Sequence, residues 1–124
     1  MSEPVLPRPA PDELLERMLQ GVFNEPDPKR RAEVIAEVFS ADVVFVDDVH
    51  TVTGREHLAA TVTGLLAQGP GLVFTPAGPF RGVGDLGLRP WRLGPSGGEP
   101  VLGGLDVAQT AAGRITRLWT VLDG

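Results

Sequence analysis

An α+β fold, with helices first and strands afterwards, is what the hydrophobic pattern of this 124-residue chain predicts. Three observations carry the prediction. Apolar residues recur every third or fourth position in three stretches before Gly71. Beyond it, apolar and β-branched runs alternate with turn clusters such as GPSGGE and AAG, the mark of an antiparallel meander. Because the strands mostly follow the helices instead of alternating with them, the helices are expected on one side of a curved, mostly antiparallel sheet, in the order α-α-β-α-β-β-β-β.

Residues 1–11 are Pro-rich and read as a loose lead-in, leaving a single domain over 12–124. From Asp12, the expected N-cap, two adjacent rows (Leu14, Met18, Val22 and Leu15, Leu19, Phe23) form the stripe of an amphipathic helix. A second helix is expected to start at Asp27, with Pro28 at its first position, where a missing N–H does no harm. Ile35, Ala36 and Phe39 supply its apolar face. The run DVVFVDD then reads as a strand. Thr53 and Glu56 have the spacing of a capping box, opening a third helix to about Ala67 on a stripe of Leu58, Val62, Leu65 and Leu66. In the meander, Pro76, Pro79 and Pro90 cannot donate to a ladder, so they demand bulges or edge positions.

A chain of this length can bury a core without staples, and 42% hydrophobic against 22% charged residues excludes disorder. Cys 0 removes disulfides, thiolate catalysis and thiolate zinc sites together. The N-terminus MSEPVLPRPAPDE lacks a basic segment followed by an apolar run, and no later stretch approaches membrane-spanning length, so a cytoplasmic protein without membrane contact is expected. With net charge −5 and scattered basic residues, nucleic acid is not an expected partner.

The element order, together with FSADVVFVDD, TGREHLAATV, PWRLGP, GLDVAQTAAGRI and the closing LWTVLDG, resembles the SnoaL-like branch of the nuclear transport factor 2 superfamily, which includes ketosteroid isomerase. The resemblance covers nearly the whole chain from Asp12. It implies a cone-shaped α+β barrel, a deep apolar pocket between sheet and helices, and a homodimer joined through the sheet. It further implies a small apolar ligand or substrate and either cofactor-independent isomerase, cyclase or dehydratase chemistry or a non-catalytic binding or interaction module. The scaffold by itself does not choose between them.

Three residues are candidates for chemistry. Alternation puts Val43, Phe45 and Asp47 on one strand face, and by the resemblance Asp47 stands where ketosteroid isomerase carries its general base. A carboxylate at the rim of an apolar pocket is expected to have a raised pKa; the alternative is a turn acid accepting backbone N–H bonds. Asp106, in GGLDVAQ, matches the acid of that enzyme's oxyanion hole, and a buried acid there needs a pocket or a partner such as Arg89, Arg92 or Arg117. His50, three residues after Asp47, is a candidate proton shuttle at the pocket mouth, while His50 and His57 without a third converging ligand do not suggest a metal. Tyr 0 rules out the tyrosine-dependent oxyanion hole, since Met18 and Leu19 in that part of the first helix donate nothing. An Asp47–Arg–Asp106 set for epoxide opening, using Arg89 or Arg92, is compatible with the residue types. Met18, Phe23, Phe39, Phe45, Phe74, Trp91 and Trp119 are expected to line the cavity, with core or dimer-interface packing as the alternative for Trp119.

Overall fold

The structure, a computed structural model, describes residues 9–123. Two facts about the first helix set the shape of the inner chamber. Helix α1 (Pro11–Met18) runs without a break into one π-helical turn (Leu19–Phe23), closed by a hydrogen bond from Asn24 N–H to the Leu19 carbonyl. The extra residue rotates the stripe so that Leu19, Val22 and Phe23 are all buried. Gly21 sits where helix α2 (Pro28–Val38) crosses, and a Cβ there would stand 2.8 Å from a Val34 methyl, so only glycine allows the approach.

The start of α1 corrects the sequence reading. Pro11, with φ preset, takes the first helical position, and Ala10 is the cap with no side-chain bond; Asp12 lies in the first turn instead. The loose segment expected over residues 1–11 lies, for residues 1–8, outside the described residues. The second start is as expected, Asp27 accepting from the Lys29 N–H at 2.9 Å with Pro28 next.

Helix α2 passes directly into strand β1 (Phe39–Val46). Arg55 makes that abrupt change of direction possible, donating to the carbonyls of Ala36 and Phe39 that the helix end leaves open. The short strand β2 (Thr51–Thr53) folds back on β1 and leads into α3 (Arg55–Ala67). The expected capping box does not form. Thr53 is in the strand, and Gly54, at φ +92°, is the cap residue, because the sharp turn from β2 into α3 needs a backbone that threonine resists.

Five further strands follow: β3 (Leu72–Pro76), β4 (Arg81–Val83), β5 (Leu86–Pro95), β6 (Leu102–Ala111) and β7 (Arg114–Leu122). They complete one sheet ordered β2-β1-β7-β6-β5-β3, with β4 on the outer side of β5. Only the β1–β7 pair is parallel. Register shifts in β1, between Phe39 and Val44, and in β6, between Gln109 and Thr110, bend the sheet around the helices. The prolines obey their constraint. Pro76 ends the edge strand β3, Pro79 lies in the loop after it, and Pro90 stands where the outer neighbour of β5 changes from β4 to β3.

The core lies between the concave sheet face and the helices, centred on Leu15, Met18, Ile35, Val38, Phe39, Phe45, Leu58, Ile115 and Leu118. Leu58 and Val62 of the α3 stripe are buried, whereas Leu65 and Leu66 are half-buried, Leu66 against the margin of the core. The opposite sheet face shows Val44, Val46, Leu105, Val107 and Trp119, half-buried, and Val121, 54% exposed. Strand β3 is fastened to the helical layer by Asn24, whose amide donates to the Phe74 carbonyl and accepts from the Phe74 N–H, both at 2.7 Å. We expect Asn24→Ala to lower stability by roughly 2 kcal/mol, since it strands two half-buried backbone groups of Phe74; chemical denaturation checks this.

Candidate functional site

A cavity of about 560 Å³ opens between the free end of the concave face and the end of α1–α3. Its wall is mostly apolar: Leu19 and Phe23 from the π-helical turn, Leu65 from α3, Phe45 from β1, and Phe74, Trp91, Leu93, Leu102 and Leu122 from the sheet. Phe23, Phe74 and Trp91 form an edge-to-face aromatic chain, with centroids 5.5 and 5.3 Å apart. The polar groups reaching the wall include Asp47, Asp48 and His50 at the β1–β2 turn, and Asp106 and Thr120 on β6 and β7.

Asp47 follows Phe45 on the inward face of β1, and its side chain is 8% exposed. Its Oδ1 accepts from the backbone N–H of Val49 (2.9 Å) and of His50 (2.6 Å), and both carboxyl oxygens lie 3.0 Å from His50 Nδ1. Burial pushes the carboxyl pKa up, but the imidazole and the two amides more than offset it and hold Asp47 below the usual carboxylate range. The raised pKa expected from the sequence is therefore reversed: the acid is both half of a hydrogen-bonded couple with His50 and the acceptor of a tight turn. An ionised carboxylate can only accept, so the ring proton of a neutral His50 belongs on Nδ1 and Nε2 is the free ring nitrogen. The His50 side chain is 36% exposed, half in solvent at the cavity mouth.

Asp106 is the opposite case. It faces inward on β6, 7% exposed, with Oδ1 accepting the Thr120 hydroxyl at 2.8 Å. Burial pushes its pKa up to about 6, against the lowering effect of Thr120, of the nearby Trp91 indole and of the Arg89 charge. None of the expected arginines pairs with it. Arg89 binds Glu16 of α1 at 2.5 Å, Arg92 lies exposed opposite Gly103, and Arg117 stacks on Trp119 at 5.6 Å on the outer sheet face. An Asp–Arg–Asp set is accordingly not assembled. The Trp91 indole N–H, though close to Asp106, is buried without a hydrogen-bond partner.

Of the residues singled out from sequence, the structure brings Asp47, His50, Asp106, Phe23, Phe45, Phe74 and Trp91 to this one cavity. Three expected lining residues are elsewhere. Met18 is sealed in the core at 1% exposure, because the π-helical turn swings Leu19 to the wall in its place. Phe39, fully buried, begins β1 beside Ile115, before the bulge and away from the cavity. Trp119 points outward, since alternation along β7 turns Leu118, Thr120 and Leu122 inward. Thr120 was missed from sequence; its only signal is its pairing opposite Asp106, which depends on register. His57 stays outside, its Nδ1 2.9 Å from the Thr53 carbonyl.

Residues 15–118 match the model of the SnoaL-like domain. The chain belongs to the SnoaL-like family. A SnoaL-like family protein from Agrobacterium tumefaciens, named as a candidate isomerase, is 29% identical over 90% of this chain and 95% of its own, with a TM-score of 0.83. A nuclear transport factor 2-like protein from an Exiguobacterium species is 23% identical, covering 89% of this chain and 98% of its own, TM-score 0.70. A protein of ketosteroid isomerase-like fold from Catenulispora acidiphila, in complex with trimethylamine, is 19% identical over 87% of this chain and 83% of its own, TM-score 0.71. The search of curated proteins found no match. Three helices, with β1 and β2 between the second and third, pack on one curved, mixed and mostly antiparallel sheet, and no helix among the described residues is long and apolar enough to cross a membrane.

The raised pKa of Asp106 links stability to pH. The folded chain holds this proton up to about 6 while an unfolded aspartate releases it near 3.8, so the contribution is complete below about pH 4 and lost as pH rises through 6. Asp106→Asn should remove that loss, flattening the stability profile and stabilising the protein near neutrality by on the order of 2–3 kcal/mol relative to the parent. Urea titrations of both proteins across this pH range measure it.

Proposed function

We propose that this SnoaL-like domain binds a small hydrophobic molecule in its cavity and catalyses proton transfer on it without a cofactor, in an isomerisation, cyclisation or dehydration. The observation that carries the reading is the divergence of two acids around one apolar cavity: Asp47 held ionised against His50, and Asp106 held neutral into the mildly acidic range. Asp47, its Oδ1 held by two backbone amides and both oxygens facing the imidazole, is the positioning residue. It orients the imidazole, and Nε2 of His50 removes the proton, a division of labour supported by the two backbone amides on Oδ1 and by the imidazole nitrogen set 3.0 Å from both carboxyl oxygens. Asp106 orients the substrate by hydrogen bonding. The name of the Agrobacterium relative as a candidate isomerase is in keeping with this class.

A non-catalytic ligand-binding module is the second reading, favoured by the consumption of Asp47 within its own turn. A thermal-shift screen with terpenoid, polyketide-like and steroid molecules, followed by incubation of each binder in D2O, separates the two. Deuterium entering a binder, at a rate reduced roughly 10²–10⁴-fold by His50→Gln and less by Asp47→Asn, is the expected result. Binding with no exchange would leave the binding module standing, and exchange untouched by His50→Gln would take the imidazole out of the mechanism.

We also propose that two copies meet through the outer sheet face, in a cytoplasmic homodimer, because Val46, Leu105, Val107, Trp119 and Val121 share an apolar surface on which Arg117 stacks. Light scattering should give twice the chain mass, and Trp119→Arg should shift it to the monomer.

A further inference from the structure

The tightest basic run of this acidic chain, Lys29-Arg30-Arg31, opens helix α2, and its members lie in different surroundings. Lys29 and Arg30 are exposed, with Arg30 3.8 Å from Asp27. Arg31 is 5% exposed. Its Nη1 donates to the carbonyls of Glu25 (2.8 Å) and Pro26 (3.1 Å), fastening the turn between the π-helical segment and α2, and its Nη2 donates to the Thr63 hydroxyl of α3 (3.0 Å).

A guanidinium has five N–H groups, and these bonds use three of them. Among the described residues, Nε–H and the second Nη2–H have no protein acceptor, and no carboxylate stands within ion-pair distance of the charge. A cation taken out of water with only neutral acceptors around it is costly. Holding the turn accounts for Nη1; it leaves the charge and the two remaining donors without a counterpart.

The Arg31 side chain borders a second cavity, of about 320 Å³, bounded by that turn, by α3 and by the residues leading into β3. Phe23, Leu66 and Leu72 form its apolar wall, and Phe23 and Leu72 also line the main cavity, so they are the partition between the two. Thr63 accepts from Arg31 and keeps a hydroxyl proton to donate. Among the described residues the one acid on this wall is Glu25, whose carboxylate accepts the Asp27 N–H at 3.2 Å.

We propose that this second cavity binds a small monocarboxylate, its carboxyl group on the spare N–H groups of Arg31 and the Thr63 hydroxyl, its hydrocarbon end on Phe23, Leu66 and Leu72. Carboxylate oxygens are acceptors only, match the planar guanidinium and bring the missing negative charge. A single charge suits the site better than a phosphate dianion, because Glu25 shares the wall and most of the remaining lining is apolar. The proposal does not depend on what the main cavity binds.

NMR titration of the whole chain with butyrate, with butyramide as the uncharged isostere and with inorganic phosphate, tests this. The Arg31 Nε–H signal, assigned by its loss in Arg31→Lys, reports the second cavity, and the indole N–H of Trp91 reports the main one. We expect butyrate to move the Arg31 signal, to leave the Trp91 signal in place, and to bind roughly tenfold more tightly than butyramide. Arg31→Lys, which keeps the charge and loses the planar fork, should weaken butyrate roughly threefold to tenfold, and Arg31→Met should abolish the preference over the amide. Circular dichroism shows whether each variant is folded; if Arg31→Met is not, the comparison of the two probes on the parent chain still decides. Equal binding of butyrate and butyramide, binding of neither, or a butyrate response at Trp91 alone would overturn the site. Phosphate moving the Arg31 signal at lower concentration than butyrate would overturn the carboxylate assignment. None of these results alters the deuterium-exchange test of the main cavity.

Discussion

The concave face of the sheet reaches further than the helices laid against it, and the site follows from that mismatch. Helices α1–α3 cover Ile115, Leu118, Ala108, Val43 and Phe45, which form the dry core. The same strands continue to Asp106, Thr120, Leu122 and Leu102, where no helix closes over them. An apolar surface that folding cannot pair with another element either collapses or stays open for a guest. Here the aromatic chain of Phe23, Phe74 and Trp91 props one wall, and the Asn24 clamp on Phe74 keeps β3 from folding inward.

Two carboxylates on one cavity end in opposite states for reasons that are local. Asp47 sits where a strand turns, so backbone amides and an imidazole converge on it and burial loses the contest. Asp106 sits in mid-strand, paired with Arg89 and Thr120 across the ladder, where the Thr120 hydroxyl, the Trp91 indole and the Arg89 charge are all that oppose burial. Burial then wins. The difference in pKa is thus a consequence of position in the sheet, turn against mid-strand, with no cofactor or distant charge needed to explain it.

The positions where sequence reasoning went astray share a cause. The capping box at Thr53 and Glu56 has the right spacing, but tertiary demand placed Thr53 in a strand and handed the cap to Gly54. Met18 and Leu19 are indistinguishable by periodicity; a single π-helical turn, which no pattern in LQGVF announces, decided which of them meets the cavity. Strands β2 and β4, three residues each, are too short to leave a periodic signature. Trp119 was misplaced because β7 is apolar on both faces, so alternation gave two equivalent choices until Thr120 was seen opposite Asp106.

What the amino-acid order determined unaided is the fold class, the second helix start at Asp27, the inward face of β1 through Asp47, the proline positions and the family, because each depends on residues near one another in the chain or on the succession of patterns. What only tertiary structure decided is the pairing of His50 with a turn-bound Asp47, the ion pairing of Arg89 with Glu16 instead of Asp106, and the placement of Trp91 over Gly104. Those depend on register across strands and on the bend of the sheet, and a shift of one residue in either would turn the same side chains to the other face.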